Sequence, residues 1–117
     1  MPRPVSLTAL NRRHLLANGH RSKTRPNFDP APVVKLFTPD ANATWLLTEL
    51  DPDNPDQAFG LCDLGLGSPE LGYVSLSELG TVRGNLGLPV ERDRWFTSVE
   101  PLSVHLARAR YNGRIAA

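Results

Sequence analysis

Cysteine is nearly absent from this chain: Cys62 is the only one among 117 residues. A lone thiol excludes an intrachain disulfide and any zinc site built from several cysteines, and it suits a reducing cytoplasm. Long hydrophobic runs are also missing. No segment approaches the roughly 20 apolar residues of a membrane helix, so a soluble protein is expected. Arg12 and Arg13 break up the apolar residues near the N-terminus, where a secretory leader needs an uninterrupted hydrophobic centre. An overall excess of basic charge is lacking too. The net charge is +1, whereas nucleic-acid-binding domains are typically strongly basic.

Catalytic signatures are equally scarce. His14, His20 and His105 stand far apart with none in an H-E-x-x-H arrangement, and no G-x-S-x-G elbow occurs. The glycine-rich stretch FGLCDLGLGSPELGYVSL (Phe59 to Leu76) invites comparison with a phosphate cradle. Gly65 and Gly67 could open a dinucleotide fingerprint, but its third glycine would fall at Glu70, and no Lys-Ser or Lys-Thr pair follows. Pro69 and a carboxylate stand where a phosphate would need a helix N-terminus. Glycines allowing a tight, positive-φ connection between two strands account for the composition better. DPDNPD (Asp51 to Asp56) gathers three carboxylates, yet Asp56 and Cys62 occupy the places where a calcium loop requires glycine and glutamate. A solvated hairpin loop is expected instead. Cys62 lies within a strand pattern beside Leu61 and Leu64, where a buried, inert thiol is the usual outcome. These readings predict no catalytic residue, no metal and no cofactor.

What is present is an uneven distribution of charge. The first 25 residues carry Arg3, Arg12, Arg13, Arg21, Lys23 and Arg25 and no acidic residue. The middle is acidic, with Glu49, Asp51, Asp53, Asp56, Asp63 and Glu70 prominent, and the end turns basic again from Arg83 through Arg92 and Arg94 to Arg114. Such asymmetry can mark nucleic-acid or acidic-protein partners at the ends. It also arises when the ends pack beside the acidic middle, which the near-neutral total favours.

Periodicity and turn residues predict an α+β fold in one domain. A helix should begin near Ser6 or Thr8, run through Leu7, Leu10, Leu15 and Leu16, and end at Asn18-Gly19. With the proline-rich linker that follows, it makes up a basic segment over 1–32, ahead of an α+β unit over 33–117. Strands are expected at Val33–Phe37, Thr44–Leu50, Ala58–Leu64 and Leu71–Leu76, and their short connections require antiparallel pairing. Ser75 and Glu78 have capping-box spacing for a short helix over Leu76 to Arg83. Arg94 to Ser98 could add an edge strand, giving an antiparallel sheet of four or five strands, and Ser98 should cap a last helix bearing Leu102, His105, Leu106 and Ala109 on one face. Trp45 reads as core. Trp95, beside Arg92, Arg94 and Phe96, reads either as packing or as a contact patch.

The segment KLFTPDANATWLLTELDPDNPDQAFGLCDLGLGSPELGYVSLSEL resembles the bacterial family of the domain of unknown function numbered 2958, with TWLLTELDPD and FGLCDLGLGSPELGYVSL as its most specific parts. The resemblance covers Val33 to about Leu106. It implies a small protein of the kind often carried on plasmids and other mobile elements, serving element maintenance, transfer or evasion of host defence, and it carries no catalytic residues over. The leading expectation is a non-enzymatic interaction protein, such as an inhibitor of a defence complex like CRISPR, meeting a protein or ribonucleoprotein partner through Glu49, Asp51, Asp53, Asp56, Asp63 and Glu70, with Arg92, Arg94 and Trp95 as a second contact patch. The alternative is a nucleic-acid-binding accessory protein tracking phosphates with Arg12, Arg13, Arg21, Lys23 and Arg25.

Overall fold

A computed structural model describes residues 5–117; Arg3 lies outside them. Three helices, α1 (Ala9–Thr24), α2 (Leu76–Leu79) and α3 (Leu102–Asn112), accompany five strands, β1 (Val34–Phe37), β2 (Thr44–Asp51), β3 (Asn54–Asp63), β4 (Glu70–Ser75) and β5 (Glu91–Arg92). The strands form one antiparallel sheet in the order β4-β3-β2-β1-β5. The expected α+β architecture is what the chain adopts. The first four strands are the predicted meander, and the chain returns to place β5 beside β1. Among the described residues, no helix is long and apolar enough to cross a membrane.

Helix α1 starts where Thr8 caps it. The Thr8 hydroxyl accepts from the Asn11 amide at 2.9 Å, and the Asn11 side chain accepts from the Thr8 amide at 3.1 Å, so each satisfies one of the donors a helix start leaves open. Its end corrects the sequence-based expectation. Asn18 and Gly19 do not stop the helix, which continues to Thr24. Both are there for close packing instead. A Cβ on Gly19 would sit 1.9 Å from the Leu50 carbonyl oxygen, so only glycine lets the helix backbone approach β2 this closely. Asn18, 2 % exposed, donates from Nδ2 to the Thr48 carbonyl at 2.9 Å. That carbonyl lies at a register shift of β2 between Leu47 and Glu49, where a bulge leaves a residue outside the ladder. Without Asn18 a buried acceptor would lose its partner.

Alternation along the strands sorts side chains onto two faces. Val34, Leu36, Trp45 and Leu47 face α1 and pack with Leu15, Leu76 and Leu79. Leu46 and Leu61 face the other way and pack beneath Leu102 and Ala109 of α3, with Phe59, Phe96 and Leu106 around them. Fully burying one such side chain contributes about 1.5–3 kcal/mol. Trp45 is core, as expected.

Other boundaries move for identifiable reasons. Strand β3 begins at Asn54 rather than Ala58, because the reversal is confined to Asp51–Asn54, where the Asp51 carboxylate accepts from the Asp53 amide at 2.9 Å. Helix α2 ends at Leu79, and the edge strand is Glu91–Arg92, not Arg94–Ser98. Helix α3 has Pro101 at its cap position. Ser98 instead hydrogen-bonds His105 Nε2 at 2.8 Å. The orphan donors at the start of α3 are met from the proline-rich linker: Pro30 O accepts from the Leu102 amide at 3.0 Å, and the Asp29 carboxylate from the Ser103 amide at 3.1 Å and the Ser103 hydroxyl.

Candidate functional site

A concavity of about 860 Å3 opens on the α3 side of the sheet, at the end that α3 leaves uncovered. Its floor follows from register. Phe37 pairs with Thr44, and Thr44 with Asp63, so these three side chains form a cross-strand row, with Lys35 two residues along β1 on the same face. The walls are the β3–β4 connection at Gly65 and Gly67, the turn at Asp93–Trp95 and the C-terminal segment Gly113–Ile115.

Polar floor residues hold these walls in place. Asp63 is 2 % exposed and accepts from the Gly65 amide at 2.8 Å and the Ile115 amide at 2.9 Å, tying two walls together. Asp93 Oδ1 accepts from the Trp95 amide at 2.9 Å, the Asp93 amide donates to the Lys35 carbonyl at 2.9 Å, and Lys35 Nζ lies 3.8 Å from Asp93 Oδ2. The glycine turn behaves as expected, with φ of +80° at Gly65 and +83° at Gly67. The same glycines border the cleft.

The basic side chains divide between two surfaces. Arg94 and Arg114 line the cleft, exposed and without hydrogen bond or ion pair among the described residues. Arg92, which pairs with Leu36 and so turns toward the α1 side, reaches the cleft rim but donates Nε–H to the Ser6 carbonyl at 2.8 Å. On the opposite face of the sheet, α1 buries Leu15, Asn18 and Gly19. Its exposed side carries Arg12, Arg13 and Arg21, with Arg25 just beyond. Among the described residues these four guanidinium groups also have no partner. Lys23 is paired with Asp53, which raises the lysine pKa and lowers the aspartate one, chiefly through their hydrogen bond.

The family described as "Protein of unknown function (DUF2958)" matches residues 6–116. The chain belongs to that family. No curated protein and no solved structure matches it.

In this DUF2958 protein the acidic residues singled out from the sequence do not form one patch. Asp51 and Asp53 sit at the β2–β3 hairpin, while Asp63 and Glu70 lie at the other end of β3. Most are engaged internally. Ser22 donates to Glu49 at 2.6 Å. Asp56 accepts from Ser75 Oγ at 2.6 Å and from the Ser77 amide and hydroxyl, both at 2.9 Å, and the Ser75 bond leads in holding its carboxyl below the usual range. Asp63 is buried, not a surface contact, and Glu70 is exposed. Among the described residues, no group of three or more His, Cys, Asp or Glu could hold a metal.

Two cleft residues escaped the sequence reading as site residues, Lys35 and Arg114. Only the strand alternation could have pointed to Lys35. Arg114 becomes visible once Gly113, at φ +74°, turns the chain back over the sheet. Cys62 lies half-buried among the residues that pack on the α1 side, and burial pushes its thiol up, which disfavours the thiolate.

Proposed function

We propose that this protein is a non-enzymatic, nucleic-acid-binding accessory protein that grips phosphates with the exposed side of α1. One observation carries the reading: Arg12, Arg13, Arg21 and Arg25 stand exposed with guanidinium groups unpartnered among the described residues. Arginine left without an internal partner is well suited to phosphate oxygens. The non-enzymatic part rests on the chemistry of the groups at hand. The Cys62 thiol resists ionisation, and the Ser98 hydroxyl facing His105 also accepts from the Glu100 amide at 3.2 Å, which fixes the loop ahead of α3. The plasmid or mobile-element setting and a cytoplasmic place of work belong to the same proposal, following the family resemblance and the lone thiol. The competing reading, inhibition of a defence complex through an acidic surface, has less beneath it, since Glu49, Asp53, Asp56 and Asp63 already hold internal partners.

Fluorescence anisotropy with labelled duplex and single-stranded oligonucleotides tests the proposal. Four phosphate contacts should make log affinity fall against log salt with a slope of about −3.6 on duplex DNA. The variant R12A/R13A/R21A should lower the affinity and flatten the slope. Absence of binding to either substrate at low salt would defeat the proposal.

A further inference from the structure

We infer that the cleft on the α3 side is a second binding site, independent of the α1 surface, for a nucleobase carrying a phosphate: Trp95 stacks on the base, and Arg94 and Arg114 hold the phosphate. The volume, about 860 Å3, falls in the range of small-ligand sites. The way the three side chains are presented argues for a ligand. Trp95 is 90 % exposed, while its neighbours are pinned. The Asp93 carboxylate accepts from the Trp95 amide, the Asp93 carbonyl accepts from the Phe96 amide at 3.3 Å, and Phe96 packs into the core beneath α3. A fixed turn therefore holds a large apolar ring out in water. Arg114 stands in the same situation, between Gly113, the left-handed cap of α3, and Ile115, whose amide is bonded to Asp63. Arg94 lies between Asp93 and Trp95 and has no partner among the described residues.

The pairing of side chains selects the ligand class. Any basic groove attracts an anion, but an exposed indole on the rim adds a flat surface that suits a base, and arginine matches phosphate geometry. Lys35 and Arg92 are already committed to Asp93, the Ala117 carbonyl and the Ser6 carbonyl, which leaves Arg94 and Arg114 as the cleft cations without a partner among the described residues. The Gly65 amide is held by Asp63, so the glycine turn shapes the wall and does not cradle the phosphate. Two sources supply this chemistry, a free nucleotide or an unpaired nucleotide of a single strand.

Intrinsic tryptophan fluorescence reads the site directly, because Trp45 is 3 % exposed and only Trp95 can be reached by a ligand. The protein is titrated at low salt with AMP, with UMP, with a short single-stranded oligonucleotide and with inorganic phosphate. Saturable quenching by a nucleotide or the oligonucleotide, and none by phosphate alone, is the expected result. Quenching by mononucleotides and oligonucleotide alike identifies a free-nucleotide site, and quenching by the oligonucleotide alone identifies an unpaired-strand site; both outcomes support the inference. R94A/R114A should weaken the quenching titration about tenfold or more. W95A should weaken binding of labelled ligand by about tenfold in anisotropy. Unchanged thermal melting must accompany both variants, since neither alters a buried contact. R12A/R13A/R21A should leave the quenching untouched, so failure of the α1 proposal and failure of this one are separable. No quenching by any nucleotide or strand, or quenching abolished by the α1 variant, overturns the inference.

Discussion

The two sides of the sheet are built from alternating residues of the same strands, yet α1 seals one and α3 leaves the other open at one end. On the sealed side, consecutive inward positions are apolar: Val34, Leu36, Trp45 and Leu47 meet Leu15, Leu76 and Leu79. On the other side Leu46 and Leu61, with Phe59 beside them, lie beneath α3, and the same strands then present Lys35, Phe37, Thr44 and Asp63. Charged side chains cannot be buried under a helix without partners. The helix therefore covers the apolar part and stops. Where α1 brings its backbone to within glycine distance of β2, the α3 side uses Asp63 and Asp93 to tie down the loops that wall the cleft.

The sharpest way to break this contrast is Gly19→Ala, which forces a Cβ against the Leu50 carbonyl. It should cost about 3 kcal/mol in chemical denaturation, unlike the usual effect of alanine in a helix. Leu15→Ala, emptying a fully buried position on the same side, should also cost about 3 kcal/mol by the same measurement. Asp63→Ala attacks the open side. It strands the Gly65 and Ile115 amides and should cost about 2 kcal/mol, with hydrogen exchange quickening at both walls of the cleft while α1 keeps its protection.

The smallest effect is one of pH. Burial, with the Arg108 charge second, lowers the His105 pKa below its ordinary value of 6.5. The folded state thus resists a proton that the unfolded chain accepts. Stability contributed by neutral His105 is present in full above the ordinary histidine pKa and declines as pH falls toward the lower folded value. Urea titrations at several pH values should show this decline, and His105→Gln should flatten that part of the profile.

Much of the fold was legible because its signals are local. The strand order of the meander, the positive-φ glycines at 65 and 67 and the Thr8 cap all follow from a few adjacent residues. Asn18-Gly19 misled for an instructive reason: the residues that close helices well are the same ones that permit close backbone approach and reach a stranded carbonyl. The linker likewise hid a function, since Asp29 meets the start of α3 from 74 positions away. Of the candidate cleft, Arg92, Arg94 and Trp95 stood together in the sequence, whereas Lys35, Asp63 and Arg114 did not.

The sequence by itself determined the α+β class, the antiparallel pairing and the family, because short connections, period-two apolar patterns and turn residues act over a handful of bonds. Only the tertiary structure decided how far α1 extends, that Asp63 lies inside, and that residues from four separated segments share one cleft. Those outcomes rest on contacts between parts of the chain far apart in sequence, such as the Thr48 carbonyl at the β2 bulge waiting for Asn18, and no local pattern encodes the partner.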